Sequence, residues 1–341
     1  MLHRLVYGLA IGILCVSAGY KMWKESGVSP QVVMEVPYAH EQHLDGSGVT
    51  VAVIDEGFDT LHTSLIPQFS SYRYNTGNKT RDVSESFVFE NGTYQFDSHG
   101  THVSGIIASL APKVTIIPIK LNGFGGDQVF VKALQIAASS PAHIVNISMR
   151  LSFTGREVSP NVRQALIDLA EAGKLIVISA GNESQPLLHS AYTASLLELA
   201  HDPRIKGRML LAGASSYKNG IETLADFSNY PGHLPFGGEQ SHFITAPGDH
   251  IRSTLAGNLF GEKSGTSMAA PMVVGAASLI KQAFPSLNAE EVAFLLLASA
   301  RRVSLDGKDL PYFQFGAGVL NLKKAIELGK NSLTFKDGLS L

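Results

Sequence analysis

The chain has 341 residues, of which 45% are hydrophobic and 16% charged, with a formal net charge of −2. That length allows one large domain or two small ones, with enough apolar residues for a sizeable core. The near-neutral charge and the lack of a long basic run exclude nucleic-acid and polybasic membrane-surface roles, and the single cysteine, Cys15, leaves the rest of the chain without an internal disulfide.

In chain order, the first feature is a leader. Met1-Leu2-His3-Arg4 is short and basic, and Leu5 to Tyr20 is uncharged and mostly apolar before Lys21 and Lys24 close it. The apolar stretch is shorter than the ~20 residues of a comfortable transmembrane helix and fits a secretory signal better. Val16-Ser17-Ala18 offers a cleavage site, whereas Tyr20 and Trp23 beside the lysines suit an uncleaved anchor. Both readings stay open, and residues 1–24 are assigned as signal peptide or N-terminal membrane anchor. Lipidation of Cys15 is disfavoured because Leu14, not a small residue, precedes it. Residues 25–36 read as a short linker or propeptide, 37–330 as one undivided domain and 331–341 as a C-terminal tail.

Val49 to Ile54 is a near-continuous β-branched run ending at Asp55, the pattern of a strand buried on both faces. A turn follows over Asp55 to Asp59, then a polar, irregular excursion from Ser64 to Tyr94. Asp97 to His102 opens a helix running to Ala108. Strands are predicted over Lys113 to Ile119, His143 to Ser148, Lys174 to Ser179, Met209 to Ala212 and Phe243 to Thr245. Helices are predicted over Asp127 to Ala138, Pro160 to Ala172, the run after Ser267, Ala289 to Ala300 and Asn321 to Leu328, with a flexible loop at Asn122 to Gly126. Alternating strands and helices predict an α/β fold, a mostly parallel sheet with helices on both faces. Sites in such sheets form at the C-terminal ends of strands.

Four residues stand at such places. Asp55 and Asn182 follow strands, and His99 and Ser267 begin helices. Each has a plainer role available: Asp55 ends a strand, His99 is a buried structural histidine, Asn182 is a turn residue and Ser267 caps its helix. Pro271 is placed early in that helix, where the first N–H groups lack intrahelical partners. Together, however, the four supply a hydroxyl, an imidazole base, an orienting carboxylate and an oxyanion donor, the parts of nucleophilic serine catalysis.

The stretches Val51-Ala52-Val53-Ile54-Asp55-Glu56-Gly57, His99-Gly100-Thr101-His102-Val103-Ser104-Gly105, Ser179-Ala180-Gly181-Asn182 and Gly265-Thr266-Ser267-Met268-Ala269-Ala270-Pro271 resemble the four signature blocks of the subtilisin-like serine proteases, the subtilases. Weaker echoes lie at Asp226 to Tyr230, Thr245 to Gly248 and Phe315 to Asn321. The resemblance covers about residues 35–328. It implies a subtilisin-like fold and an endopeptidase with Ser267 as nucleophile, His99 as general base and acid, Asp55 as its orienter and Asn182 as oxyanion donor. It also implies that substrate backbone pairs as an added strand along Gly123, Gly125, Ser148 and Gly181. The implied partners are protein or peptide substrates, and the leader gives the expected location: exported, secreted or periplasmic, or anchored to the membrane through residues 5–20. The alternative is a subtilase-like domain of weak activity that binds peptides.

Several positions depart from the family pattern. Glu56 adds a carboxylate beside Asp55 and is expected to face solvent. Arg150 stands where the family usually has glycine beside the first specificity pocket. It either favours acidic substrate residues or, the preferred reading, points outward. Ser64 takes the place of the aspartate of the family's strong calcium site, and the helix leads almost directly through Leu110-Ala111-Pro112 into the next strand. No calcium or other cofactor is therefore expected there, and the His99/His102 pair lacks the spacing of a zinc site. The stretch between leader and catalytic region is too short for the family's folding propeptide, so the enzyme either folds unaided or is blocked by a short segment such as Gly27 to Pro37.

Overall fold

A computed structural model describes residues 30–90, 93–121, 126–152, 156–205, 207–218, 221–233, 241–305, 308–309 and 312–338. The leader, Gly123 and Gly125 lie outside the described residues. In chain order the elements are α1 (Pro30–Val33), α2 (Val36–Glu41), β1 (Thr50–Asp55), β2 (Tyr74–Asn75), β3 (Phe87–Glu90), β4 (Thr93–Phe96), α3 (His99–Leu110), β5 (Thr115–Lys120), α4 (Asp127–Ser139) and β6 (Ile144–Ile147). They continue with α5 (Pro160–Glu171), β7 (Leu175–Ser179), α6 (Ala191–Ala200), β8 (Met209–Lys218), β9 (Ile221–Leu224), β10 (Phe243–Pro247), β11 (Ile251–Leu255), β12 (Leu259–Lys263), α7 (Thr266–Ala283), α8 (Ala289–Ser299), α9 (Tyr312–Phe315) and α10 (Leu322–Gly338).

The apolar runs become the sheet, in the order β10-β8-β7-β6-β1-β5-β2, with β9 added antiparallel to β8. The other ladders of this sheet are parallel. Both faces are covered, and the period of two along each strand divides the core. Val51 and Val53 of β1 face the layer of α3 and α7, while Ala52 and Ile54 face that of α4, α5 and α6. The predicted α/β architecture is therefore the one observed.

Helix α7 runs through the middle of its layer. Met268 to Ile280 are all buried, so the helix has no polar face to offer water. It lies close to α3, where Gly275 makes room: a Cβ there would fall 2.8 Å from the Leu110 Cβ. Hydroxyls of Ser253 and Thr254 on β11 donate to the His102 and Thr101 carbonyls at 2.8 and 2.7 Å, which fixes the first turns of α3 against the β11–β12 hairpin.

Some elements differ from the sequence reading. The polar excursion after Ser64 contains β2 and the β3–β4 hairpin. Helix α6 and the β11–β12 hairpin were not expected, and α10 continues past Leu328 to Gly338. The described part of the segment proposed to block the cleft is helical core. Met34 and Val36 are fully buried, Leu322 donates to the Met34 carbonyl at 3.1 Å, and His40 bonds the Leu110 carbonyl at 2.8 Å. Gln31 of this segment donates to the Ser109 carbonyl at 3.2 Å, which places it near the end of α3 far from His99, ~15 Å along the helix. Among the described residues, no helix is long and apolar enough to cross a membrane.

Candidate active site

Parallel neighbours bring their strand ends to one edge of the sheet, and the helix starts of α3 and α7 meet them there. Asp55, the last residue of β1, is fully buried. His99, the first residue of α3, turns its Nδ1 onto both Asp55 oxygens, at 2.8 and 3.0 Å. Gly100 permits this approach, since a Cβ there would fall 3.0 Å from the Asp55 Cβ and 3.1 Å from the Phe58 ring. The imidazole keeps 24% of its surface exposed. Burial works to lower the His99 pKa, but the Asp55 charge, its hydrogen bond and the Asp97 charge outweigh it and hold the imidazole above its ordinary 6.5.

Ser267 is the second residue of α7. Its hydroxyl donates to the Ser148 carbonyl at 2.9 Å, and the Ser148 hydroxyl donates to the Ser267 carbonyl at 2.9 Å. Pro271 explains why that carbonyl is available. It stands sixth in α7, past the first turn where sequence reading put it, and it lacks the N–H that would otherwise bond the carbonyl four residues back. The proline thus removes one helical bond, and the side chain of Ser148, just past β6, takes its place.

Asn182 lies past the end of β7. Its Oδ1 accepts from the Thr266 N–H and hydroxyl, both at 2.9 Å, while Gly181 N–H donates to the Thr266 hydroxyl at 3.1 Å. With its oxygen engaged, the amide turns its N–H₂ outward. A Cβ built on Gly265 would lie 3.4 Å from Asn182 Nδ2 and 3.6 Å from Ser267 N, so two donors flank the small space that this glycine leaves open.

Asn229 was only an echo in the sequence, yet it organises this loop. It is fully buried and takes the Glu183 and Gln185 N–H groups on Oδ1, both at 3.1 Å, while Nδ2 donates to the Ala180 carbonyl at 3.0 Å. Gly181 is required beneath it: φ is +102°, and a Cβ would fall 2.5 Å from Asn229 Nδ2.

A family model described as the subtilase family matches residues 46–318. The chain belongs to the subtilase family. Subtilisin BL from Lederbergia lenta is 29% identical over 304 residues, covering 86% of this chain and 96% of its own. Subtilisin E from Bacillus subtilis (strain 168) is 28% identical over 307 residues, covering 86% of this chain and 70% of its own. Among solved structures, proteases from Pseudoalteromonas arctica align with a TM-score of 0.65 at 24% identity over 86% of this chain and 94% of theirs. A lanthipeptide protease aligns with a TM-score of 0.65 at 20% identity, covering 90% and 98%. Those two likenesses speak to the fold. As a subtilase, the chain is a serine endopeptidase.

The subtilase site carries extra carboxyls. Glu56 is exposed, as expected, but its side chain hydrogen-bonds Asp97, whose Oδ1 accepts from the His99 N–H at 3.1 Å. The shared hydrogen bond, burial and the neighbouring Asp97 and Asp55 charges push Glu56 up to about 7. Burial resists ionisation of Asp97, but the bonds from Glu56 and His99 and the His99 charge hold it below the usual carboxylate range. Of the pair, Glu56 is thus the one driven toward its protonated form and Asp97 toward its ionised form. Arg150 does not stand free: it pairs with Glu183 and lies over the Tyr192 ring, 5.3 Å from its centroid.

The family's calcium does not suit the residues present. Ser64 is exposed and offers no carboxylate, and its N–H is bonded to Nδ1 of buried His62, whose ring packs edge-on against Phe260. At the end of α3 the chain passes directly to β5, with the Lys113 N–H bonded to the Asp45 carbonyl at 2.7 Å. His102 cannot join His99 on a metal either, because its buried ring faces the Gly261 carbonyl at 3.2 Å. No metal-binding cluster exists among the described residues.

Proposed function

We propose that the chain hydrolyses peptide bonds through an acyl-enzyme formed on Ser267. The observation that carries this reading is the Asp55–His99 contact at the edge where Ser267 and Asn182 also meet. With Nδ1 donating to Asp55, the imidazole presents Nε2 as the base. The Ser267 hydroxyl leaves the Ser148 carbonyl, passes its proton to Nε2 and attacks the scissile carbonyl. The developing oxyanion takes hydrogen bonds from Asn182 Nδ2 and the Ser267 N–H, a reading supported by their lying 3.4 and 3.6 Å from a Cβ built on Gly265. His99 then protonates the leaving amine, and water reverses the sequence to release the acid. Asp55 stays ionised, holding the tautomer and stabilising the imidazolium.

The substrates are proteins or peptides, whose backbone lies along Gly123, Gly125, Ser148 and Gly181 as an added strand. No nucleic acid and no calcium or other cofactor takes part. Residues 1–24 direct export, as a cleaved signal or as an anchor through residues 5–20.

Digestion of an unfolded protein, read by mass spectrometry, tests the proposal. Internal cleavage by the wild type and none by S267A is expected, with N182A reduced about 10²–10³-fold in kcat, the magnitude known for the corresponding asparagine of subtilisin. A folded wild type that binds peptides without cleaving them overturns the catalytic reading in favour of a peptide-binding subtilase.

A further inference from the structure

Two residues of the cleft rim have no part in the chemistry above. Arg150 lies two positions beyond Ser148, and Glu183 one beyond Asn182. The strands before them, β6 and β7, are parallel neighbours in register Ile147↔Ile178, so both side chains leave the same sheet edge. Arg150 Nη2 donates to Glu183 Oε1 and joins the two strand ends. Each partner is also held from below. The Arg150 guanidinium rests on buried Tyr192, whose hydroxyl accepts the Leu151 N–H at 2.9 Å. The second Glu183 oxygen accepts from buried Asn229 Nδ2 at 2.6 Å.

The position of the bridge follows from its neighbours. A scissile carbonyl has its carbon at Ser267 Oγ and its oxygen toward Asn182 and the Ser267 N–H. With Ser267 as the proposed nucleophile, this orientation directs the acyl-side Cα toward the gap between the ends of β6 and β7, beside Ser148 and Gly181. Part of that gap is already filled, since a Cβ on Gly181 would meet Glu183 Oε2 at 2.6 Å.

We infer that the Arg150–Glu183 bridge walls the pocket for the acyl-side residue and restricts it to small side chains such as alanine. This rests on Ser267 being the nucleophile. A large aromatic side chain must displace an ion pair, a ring contact and the Asn229 hydrogen bond at once. A substrate carboxylate gains little, because the guanidinium already has Glu183. The bridge is thus a steric wall and not a receptor for acidic residues.

The test uses peptide p-nitroanilides that differ only in the acyl-side residue, alanine, phenylalanine or glutamate, with wild type, R150G and E183A. Fluorophosphonate labelling rates report Ser267 competence without using the pocket. Wild type is expected to prefer alanine over phenylalanine by about 10-fold or more in kcat/KM. R150G and E183A are expected to raise the phenylalanine-to-alanine ratio by about 10-fold while labelling stays within about 3-fold. A wild type that favours phenylalanine or glutamate, or a ratio unmoved in both variants, overturns the wall. If neither variant folds, the wild-type preference alone decides. Folded wild type that takes no label overturns the nucleophile reading, and the wall with it.

Discussion

Ser148 and Ser267 each donate a hydroxyl hydrogen bond to the other's backbone carbonyl, both at 2.9 Å. Buried Asn146 adds a bond to the Ser148 hydroxyl at 3.0 Å, so the start of α7 is tied to the end of β6. Pro271, four residues after Ser267, makes the exchange possible by freeing the Ser267 carbonyl. S148A removes one side of it and leaves Asn146 Nδ2 without that acceptor. A net loss of about 1 kcal/mol, or about 5-fold in kcat/KM, is expected, with a lower Tm. Unchanged kcat/KM and Tm would show that the pair does not position the nucleophile.

With His99 as the proposed general base, the acidic limb of kcat/KM against pH follows its deprotonation. The Asp55 and Asp97 charges raise its pKa, so the limb is expected to have its midpoint above 6.5. D55N removes the dominant charge and moves the midpoint down, with kcat reduced ~10⁴-fold, a magnitude taken from triads of this kind and not from this geometry. A midpoint at or below 6.5 in the wild type contradicts the assignment.

Stability and pH are linked through three titratable groups, Glu56, half-buried Glu85 and buried His102, acting in opposite directions. Burial and the Asp59 and Asp97 charges push Glu85 up to about 7 against the hydrogen bond from Thr101, and Glu56 reaches about 7 through its bond to Asp97. From pH 4.5 to about 7 the folded chain keeps protons that the unfolded chain has released, so these carboxyls cost stability as pH rises. Burial pushes His102 down to about 3, so between 6.5 and 3 the unfolded chain takes up a proton that the folded chain refuses, and stability falls as pH falls. In Tm measured against pH, the double variant E56Q/E85Q should gain on the wild type as pH rises from 4.5 to 7. H102Q should show a shallower loss below 6.5. Curves parallel to the wild type would refute the linkage.

Calcium removal should leave the protein unaffected. Binding to the folded state alone raises Tm with ligand concentration. Tm in a chelator and in millimolar calcium is expected to agree within about 1 °C, and a rise of several degrees with calcium would contradict the proposed loss of that site.

The sheet was legible because its strands are apolar on both faces: runs such as Val49 to Ile54 and Leu175 to Ser179 have no other stable use. The β11–β12 hairpin was not, because it carries Arg252, Ser253, Glu262 and Lys263 and owes its place to α3. Its turn residues Gly257-Asn258 were the available signal. Helix α6 hid for the opposite reason, since it is buried nearly all round and shows no polar stripe. The Ser190 cap before it was the one cue. The positions of Asp55, His99, Asn182 and Ser267 were legible from their glycine-rich blocks. Asn229 and the Arg150–Glu183 bridge were not, because each acts between segments distant in sequence.

The proposed mechanism makes Ser267 an activated nucleophile served by His99 and Asp55. Labelling with a fluorophosphonate, followed by peptide mapping, tests it most directly. One adduct is expected, on Ser267, absent in S267A and slowed in D55N. An adduct on another residue, or folded wild-type protein that takes no label, would contradict it.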